Sequence, residues 1–317
     1  MKSTIFIAGF IFLGFLLSSC DPSTNIDNSI TNYWERNALT RLQLKGKVKT
    51  LTTDNGSRTT QFNETGFITN ITNTDGVYSS VATYTYTANG QLSTILTVNA
   101  NPTSGNTSST QTFEYDTHGK YIPGSVMHMY ETGLTPNLKA QISDWGRTDY
   151  VFNGDNLLII STSQSAVGVT KDTAIVKFSG KYPAGSTTDW SFAKDITYAD
   201  NGMFLTYTEG FHGPEYTNSR IYKYKADDEF LLLESVNYID VYGTQTTTST
   251  QTFTYNDHKN LIKKVDGEGV QDYSDYVYDA QGNWTSRTYS YQYPGSQTTS
   301  STETRTIVYW TDSKTSN

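Results

Sequence analysis

The sequence predicts an all-β fold: an antiparallel sheet of hairpin repeats, spiralling or strongly curved, with roughly 18 strands and a short N-terminal helix. Three observations carry this. A pair of aromatic or apolar residues two positions apart, followed by a polar turn, recurs along the chain. Tyr is abundant, 24 in 317 residues, and with Thr it suits pleated surfaces. Charged residues make up only 17%, well under the usual quarter, and Thr, Ser, Asn and Tyr take their place.

The clearest copy of the repeat is Tyr276-Val277-Tyr278-Asp279-Ala280-Gln281-Gly282-Asn283-Trp284. Tyr276 and Tyr278 share one face of a strand. Asp279 to Asn283 is turn chemistry, with Gly282 free to take positive φ. Trp284 starts the return strand, so the stretch is a hairpin tip. The second aromatic of each copy falls at Phe62, Tyr86, Tyr115, Phe152, Tyr198, Tyr224, Tyr255 and Tyr278, with Tyr309 as a partial ninth. The Gly moves in the Phe152 copy and is lost after Tyr224 and Tyr255. Spacings run from 23 to 46 residues. Each unit therefore holds two strands, one tight turn and one looser connection, and nine units give roughly 18 strands. The looser connections, among them 99–107, 180–188 and 293–300, form a rim where functional variation belongs. Ser109 to Tyr115 mirrors Ser249 to Tyr255, a trace of duplication.

The N-terminus carries an address. Lys2 precedes an uncharged, mostly apolar run, Ile5 to Leu17, of signal-peptide length. It ends in Leu17-Ser18-Ser19-Cys20, which resembles the bacterial lipobox, and Cys20 is the chain's only cysteine. The resemblance implies acylation of Cys20. A lone thiol leaves no disulfide within the chain. The expected layout is a lipoprotein signal at 1–19, a polar tether at 20–31, a short helix at 32–43, the repeat domain at 44–310 and a polar tail at 311–317. Asn32 and Glu35 have capping-box spacing, and Trp34, Ala38 and Leu42 share one helix face.

Tyr278 to Arg287 resembles the YD repeat of the RHS family, and the other copies look like diverged members. With the lipobox and Leu44-Lys45-Gly46-Lys47-Val48-Lys49, the chain resembles lipoproteins common in Bacteroidetes. In the RHS family such repeats build a spiralling antiparallel sheet that can enclose a cargo. The resemblance covers about 44–310 and implies the fold. This chain is short and ends in a polar tail, so neither a delivery function nor a functional residue carries over.

Chemistry is harder to find. His118 and His258 occupy the same turn position of two repeats, and His128 and His212 have no metal-ligand spacing. No Gly-X-Ser-X-Gly elbow or phosphate loop is present, and no cofactor or metal is expected. Asp54-Asn55-Gly56 and Asp266-Gly267-Glu268-Gly269 read as turns. A net charge of −8 offers no footprint for nucleic acid. Lys45, Lys47 and Lys49 read as a solvated edge strand. Trp145 and Trp190, near long connections, are the candidates for stacking on sugar rings, against cross-strand packing as the plainer role. Asp172-Thr173-Ala174 resembles the motif that carries O-glycans on exported Bacteroidetes proteins, which makes Thr173 a candidate glycosylation site.

The expectation is a lipid-anchored cell-envelope protein, at the outer membrane through Cys20, with a non-catalytic role in binding a glycan or another envelope protein. The alternatives are an RHS-like shell or spacer without a small ligand, and a glycoside-active enzyme whose carboxylates converge from distant strands.

Overall fold

The computed structural model describes residues 38–53, 56–123, 134–154, 156–165, 168–188, 191–227 and 230–311. Cys20, the signal, the tether and residues 312–317 lie outside the described residues. A single turn, α1 (Ala38–Arg41), opens the described chain. The helix expected at 32–43 is not supported as an element of the fold, and its first six positions lie outside the described residues.

The strands follow in hairpin order. They begin β1 (Val48–Thr53), β2 (Arg58–Phe62), β3 (Ile68–Asp75), β4 (Tyr78–Tyr86), β5 (Leu92–Ala100) and β6 (Thr107–Tyr115). A small hairpin, β7 (Tyr121–Pro123) and β8 (Leu134–Pro136), stands apart. The sheet resumes with β9 (Leu138–Ser143), β10 (Gly146–Asn153), β11 (Asn156–Ser165), β12 (Gly168–Ser179), β13 (Tyr182–Thr187) and β14 (Ser191–Tyr198). It continues through β15 (Phe204–His212), β16 (Tyr216–Lys225), β17 (Leu232–Tyr242), β18 (Gln245–Tyr255) and β19 (Leu261–Asp266). It ends with β20 (Gly269–Tyr278), β21 (Trp284–Gln292), β22 (Thr299–Thr304) and β23 (Thr306–Tyr309).

All-β and antiparallel hold. The main sheet has 21 strands, against the roughly 18 expected. The physical reason lies in two places. The widest spacing, Phe152 to Tyr198, holds four strands, β11 to β14, because 180–188, read as a loop, contains β13, and the final run is split into β22 and β23. The interval from Tyr115 to Phe152 also hides β7 and β8, which lie outside the main sheet. The sheet is a nearly closed barrel. β22 and β23 are one run interrupted at Arg305. β22 pairs with β21 and β23 pairs with β1, so the last strand joins the two ends of the sheet. β1 is therefore flanked on both sides, and the expected solvated lysine edge is corrected: Lys45 and Lys47 precede the strand, and Lys49 lies over Trp310 at 4.7 Å.

The tight tips share one geometry. At 279–283 the Asp279 N–H donates to Asn283 O (2.9 Å) and the Gly282 N–H to Asp279 O (3.0 Å). Asp279 Oδ1 also accepts the N–H groups of Gln281 and Asn283. The same backbone pair recurs at 63–67, 87–91, 199–203 and 256–260. Seven of the eight complete tips also carry a register shift directly before the second aromatic, at Phe62, Tyr86, Tyr115, Tyr198, Tyr224, Tyr255 and Tyr278. The tip after Phe152, whose Gly moved, pairs without a shift. Such a bulge gives one strand an extra residue. It lets Leu92 and Ile95 both turn inward opposite Tyr86 and Tyr84. Buried side chains are thereby concentrated at the tip end.

The two ends of the barrel differ for that reason. Near the tips lie three apolar clusters. The first holds Ala38, Leu39, Leu44, Phe62, Phe67 and Ile68, the second Leu92, Phe113, Tyr150, Leu157 and Val176, the third Phe204, Tyr207, Tyr222, Tyr224 and Val236. The β7–β8 hairpin bridges the last two: Ile122 belongs to one, Tyr121 and Leu134 to the other. The Tyr121 N–H donates to Lys181 O at 2.9 Å, so the hairpin lies against the foot of β13. The hairpin and the N-terminal turn together fill the tip end. Each fully buried Phe or Leu there contributes roughly 2–3 kcal/mol. At the opposite end, the rim, both faces are open: Gly168 to Thr173 and Gln245 to Thr250 are exposed throughout.

The inner face, which carries these buried residues, contrasts with the outer one. Outward lie Lys223–Glu234 (2.9 Å), Lys263–Asp272 (3.8 Å) and Arg147–Asp149 (2.6 Å). Hydroxyl pairs such as Thr85–Thr94 and Thr197–Thr206 fill in between. Apolar residues on this face are interspersed, as Ile175 is between Thr173 and Lys177. A barrel that crosses a bilayer turns a continuous apolar band outward. The described outer face is instead charged and hydroxylated.

Candidate functional site: the inner face at the rim

Alternation fixes which side chains line the rim from within. Phe113 points inward, so Gln111 does too. Register carries that face across the neighbours: Gln111 pairs with Ser143, Ser143 with Gly146, and Gly146 with Ser163. The next row inward is Phe113, Gln141, Thr148 and Ser161. Gly146 is required here, because a Cβ would stand 2.1 Å from Thr162 O. These residues, Phe113 apart, line a hollow of about 190 Å³ with Trp145 at its lip. Trp145 sits in the turn between β9 and β10 and is 72% exposed. Nothing covers its ring. Oε1 of Gln111 is buried and accepts no hydrogen bond. Thr148 and Ser161 hydroxyls lie 3.2 Å apart, and Ser163 and Thr170 hydroxyls 2.5 Å apart. An exposed indole above hydroxyls and amides can stack on a flat apolar face and hydrogen-bond a polar edge.

A second rim hollow, about 360 Å³, lies on β2 to β5. Arg58, Asn73, Ser80 and Asn99 line it in one cross-strand row. Burial pushes the Tyr84 hydroxyl up, and the nearby Arg58 charge opposes it.

Elsewhere three carboxylates each accept a tyrosine hydroxyl: Glu209 from Tyr222 (2.9 Å), Asp240 at the rim from Tyr216 (2.8 Å) and Asp279 at a tip from Tyr309. Arg287 stacks on Tyr273 (4.2 Å) and Trp284 (4.5 Å) and pairs with Glu303 at 2.6 Å. Arg305 stacks on Trp284 from 4.0 Å and donates to its carbonyl. Burial and the Arg287 charge push the Arg305 guanidinium down to about 10. Asp279, Arg287 and Arg305 brace the seam where the sheet closes.

The expected site residues separate. Trp145 stands at a hollow. Trp190 lies outside the described residues, so the two are not brought together. Thr173 is exposed on the outer face of β12, opposite Ile160. His118 accepts the Lys120 N–H on Nδ1 (2.9 Å) and packs on Phe152 at 4.4 Å, while His258 packs on Tyr278 at 4.5 Å. Both are tip braces. Asp266 caps its own turn through the N–H groups of Glu268 and Gly269. Among the described residues no three His, Cys, Asp or Glu converge as a metal site. Sequence reasoning missed Arg58 and Gln111. Counting back in twos from Phe62 and Phe113 reaches both.

No family model matches the chain, and no curated protein matches it. Among solved structures, a porin-like protein from Bacteroides uniformis ATCC 8492 superposes with a TM-score of 0.30 and 12% identity, over 75% of this chain and 93% of that one. A porin-like protein from Bacteroides vulgatus ATCC 8482 gives 0.25 and 11%, over 83% and 98%. Superpositions this loose carry neither architecture nor function across.

Proposed function

We propose that this protein is a non-catalytic binding module of the cell envelope, tethered by a lipid on Cys20, that holds a glycan on the inner face of its rim. The supporting observation is the hollow beneath Trp145. It offers an uncovered indole at the lip and a floor of Gln111, Gln141, Ser143, Thr148, Ser161 and Ser163. Sugars present this combination of an apolar ring face and hydroxylated edges. Repeats position the floor, and the variable turn between β9 and β10 supplies the reader.

The test is a glycan array and an envelope pull-down with the full-length lipidated protein in detergent, followed by titration of Trp145→Ala. Trp145 touches no core, so the variant keeps its fold. Loss of one stacking platform lowers affinity by roughly tenfold. An empty array together with an empty pull-down sinks the proposal. Unchanged affinity in Trp145→Ala removes this hollow from it.

The nearly closed sheet supports a second reading, an RHS-like shell or spacer. It predicts no glycan binding and no effect of Trp145→Ala on any phenotype, whereas mutations that open the seam abolish function.

A further inference from the structure

The larger rim hollow contains a guanidinium that no described residue matches. Other inner and outer arginines have partners: Arg147 has Asp149 and Glu114, and Arg287 has Glu303. Arg305 donates to a carbonyl and stacks on Trp284. The side chain of Arg58, half-buried, makes no hydrogen bond and no ion pair with any described residue. Asp75 lines the same hollow without pairing with it. A partly desolvated guanidinium without an acceptor forfeits charge-assisted hydrogen bonds. Its neighbours are suited to sharing a ligand. Asn73, Ser80 and Asn99 stand in register with Arg58 on three adjacent strands, so two amides and a hydroxyl face the same space. At about 360 Å³ the hollow lies at the small end of ligand sites, a fit for one or two sugar rings.

We propose that this hollow is a carboxylate-reading subsite for an acidic glycan: Arg58 takes the carboxylate of a uronic-acid-type sugar, and Asn73, Ser80 and Asn99 take its hydroxyls. The inference rests on the rim being a glycan-binding surface. One planar guanidinium matches one carboxylate through paired hydrogen bonds. A phosphate dianion beside Asp75 would be left with excess negative charge. The two hollows lie on neighbouring stretches of the same wall. Asn99 pairs with Thr107 on β6, and β6 carries Gln111 into the hollow under Trp145. A single chain lying along the inner wall of β2 to β11 meets Arg58 with one residue and Trp145 with another.

The experiment is calorimetric titration of the full-length lipidated protein in detergent. The probes are oligogalacturonate, a neutral galacto-oligosaccharide and inorganic phosphate. Oligogalacturonate is expected to bind about tenfold more tightly than the neutral chain, with a preference that shrinks as salt rises. Arg58→Gln is expected to erase the preference while leaving neutral binding intact. Arg58→Lys retains part of it, and Trp145→Ala weakens both sugars equally. The subsite is overturned if Arg58→Gln keeps the preference, if acidic and neutral chains bind alike, or if phosphate displaces oligogalacturonate at comparable concentration. The last two outcomes leave a glycan-binding rim standing. If neither sugar binds, the rim reading fails and the subsite with it.

Discussion

The side chain of Asn283 grips the main chain of Lys45, 238 residues away in the sequence: Oδ1 accepts the Lys45 N–H and Nδ2 donates to the Lys45 carbonyl, both at 2.8 Å. Nδ2 also reaches the Tyr309 hydroxyl at 2.8 Å, and that hydroxyl donates to Asp279. One tip thus ties together the start of the barrel and its last strand. The amide acts as a substitute peptide unit at the point where β1 has not yet begun to pair. Asn283 is 1% exposed, so no water replaces these bonds.

Asn283→Ala is accordingly expected to cost about 3 kcal/mol, because it strands a buried N–H and a carbonyl. Asn260 occupies the same position one tip earlier, yet it donates only to the Tyr278 hydroxyl and the His258 carbonyl, at 3.2 and 3.5 Å. Asn260→Ala is expected to cost about 1 kcal/mol. Urea denaturation of both variants measures the difference. Equal losses would show that the seam contributes no more than any other tip.

The tyrosine at four of the tips has a second use beyond burial. Its hydroxyl donates to a main-chain carbonyl of the preceding hairpin: Tyr86 to Ile68, Tyr115 to Leu92, Tyr198 to Pro183 and Tyr255 to Leu233, at 2.6 to 3.0 Å. Phe has the same ring and no staple. Tyr86→Phe, Tyr115→Phe and Tyr255→Phe are each expected to cost about 1 kcal/mol, adding nearly linearly across separated tips. Stability of the triple variant checks this. A triple variant as stable as wild type would reduce the tyrosines to ring packing.

These staples explain what was legible in the sequence and what was not. Tip positions were visible because the aromatic pair and the turn residues act locally. Tyr276 and Tyr278, Asp279 and Gly282 each do in the structure what their chemistry implies. Partners one hairpin away, such as Leu92 for Tyr115, have no local signal. Closure of the sheet was illegible for the same reason, since it depends on Arg305 breaking one strand into two pairings. The β7–β8 hairpin and β13 were missed because short strands without a Tyr-turn signal read as loop. Trp145 was legible as an aromatic near a connection between units, though that connection is the short turn between β9 and β10 and not a long one. Arg58 was missed, because the inward face at the rim carries no apolar residue of its own and only the count in twos from Phe62 places it there.

Lys259 takes the tip position that Gly occupies elsewhere. Its φ is 62°, where Gly282 has 80°. A side chain in this region costs about 1–2 kcal/mol. The compensation is an ion pair of 2.5 Å with Asp227, whose side chain is only 9% exposed. Lys259→Gly should relieve the backbone but remove the cation from a carboxylate that keeps the Phe230 N–H, for a net loss of about 1 kcal/mol. Gly282→Ala offers the clean comparison. Its added Cβ would meet only the Lys45 side chain, at 3.6 Å, so backbone strain alone is expected, about 1–2 kcal/mol. A stabilised Lys259→Gly would mean that the ion pair offsets nothing.

Alkali should unfold the protein for a reason specific to its composition. Burial pushes the Tyr255 hydroxyl up to about 12. Burial, then the bond to Asp279, does the same for Tyr309, also to about 12. Burial drives Tyr115, Tyr150 and Tyr198 higher still. In the unfolded chain all of these ionise near about pH 10. Between that value and about 12 the unfolded state has shed protons that the folded state retains, so stability falls as pH rises. The contribution is complete below about pH 10 and is lost through the folded-state values. Arg305 works in the opposite direction: held down to about 10 in the fold and released on unfolding, it favours the folded state as pH rises. It is one group against at least five. Urea midpoints read by circular dichroism from about pH 8 to about pH 11 are therefore expected to fall, with the phenolate absorbance of the inner tyrosines appearing at the unfolding transition rather than before it. A folded baseline that already carries the full phenolate absorbance of the unfolded chain, and so more than exposed tyrosines such as Tyr78, Tyr242 and Tyr293 supply, or a midpoint that holds steady, would show that the inner tyrosines ionise in place and that their burial does not hold the barrel together.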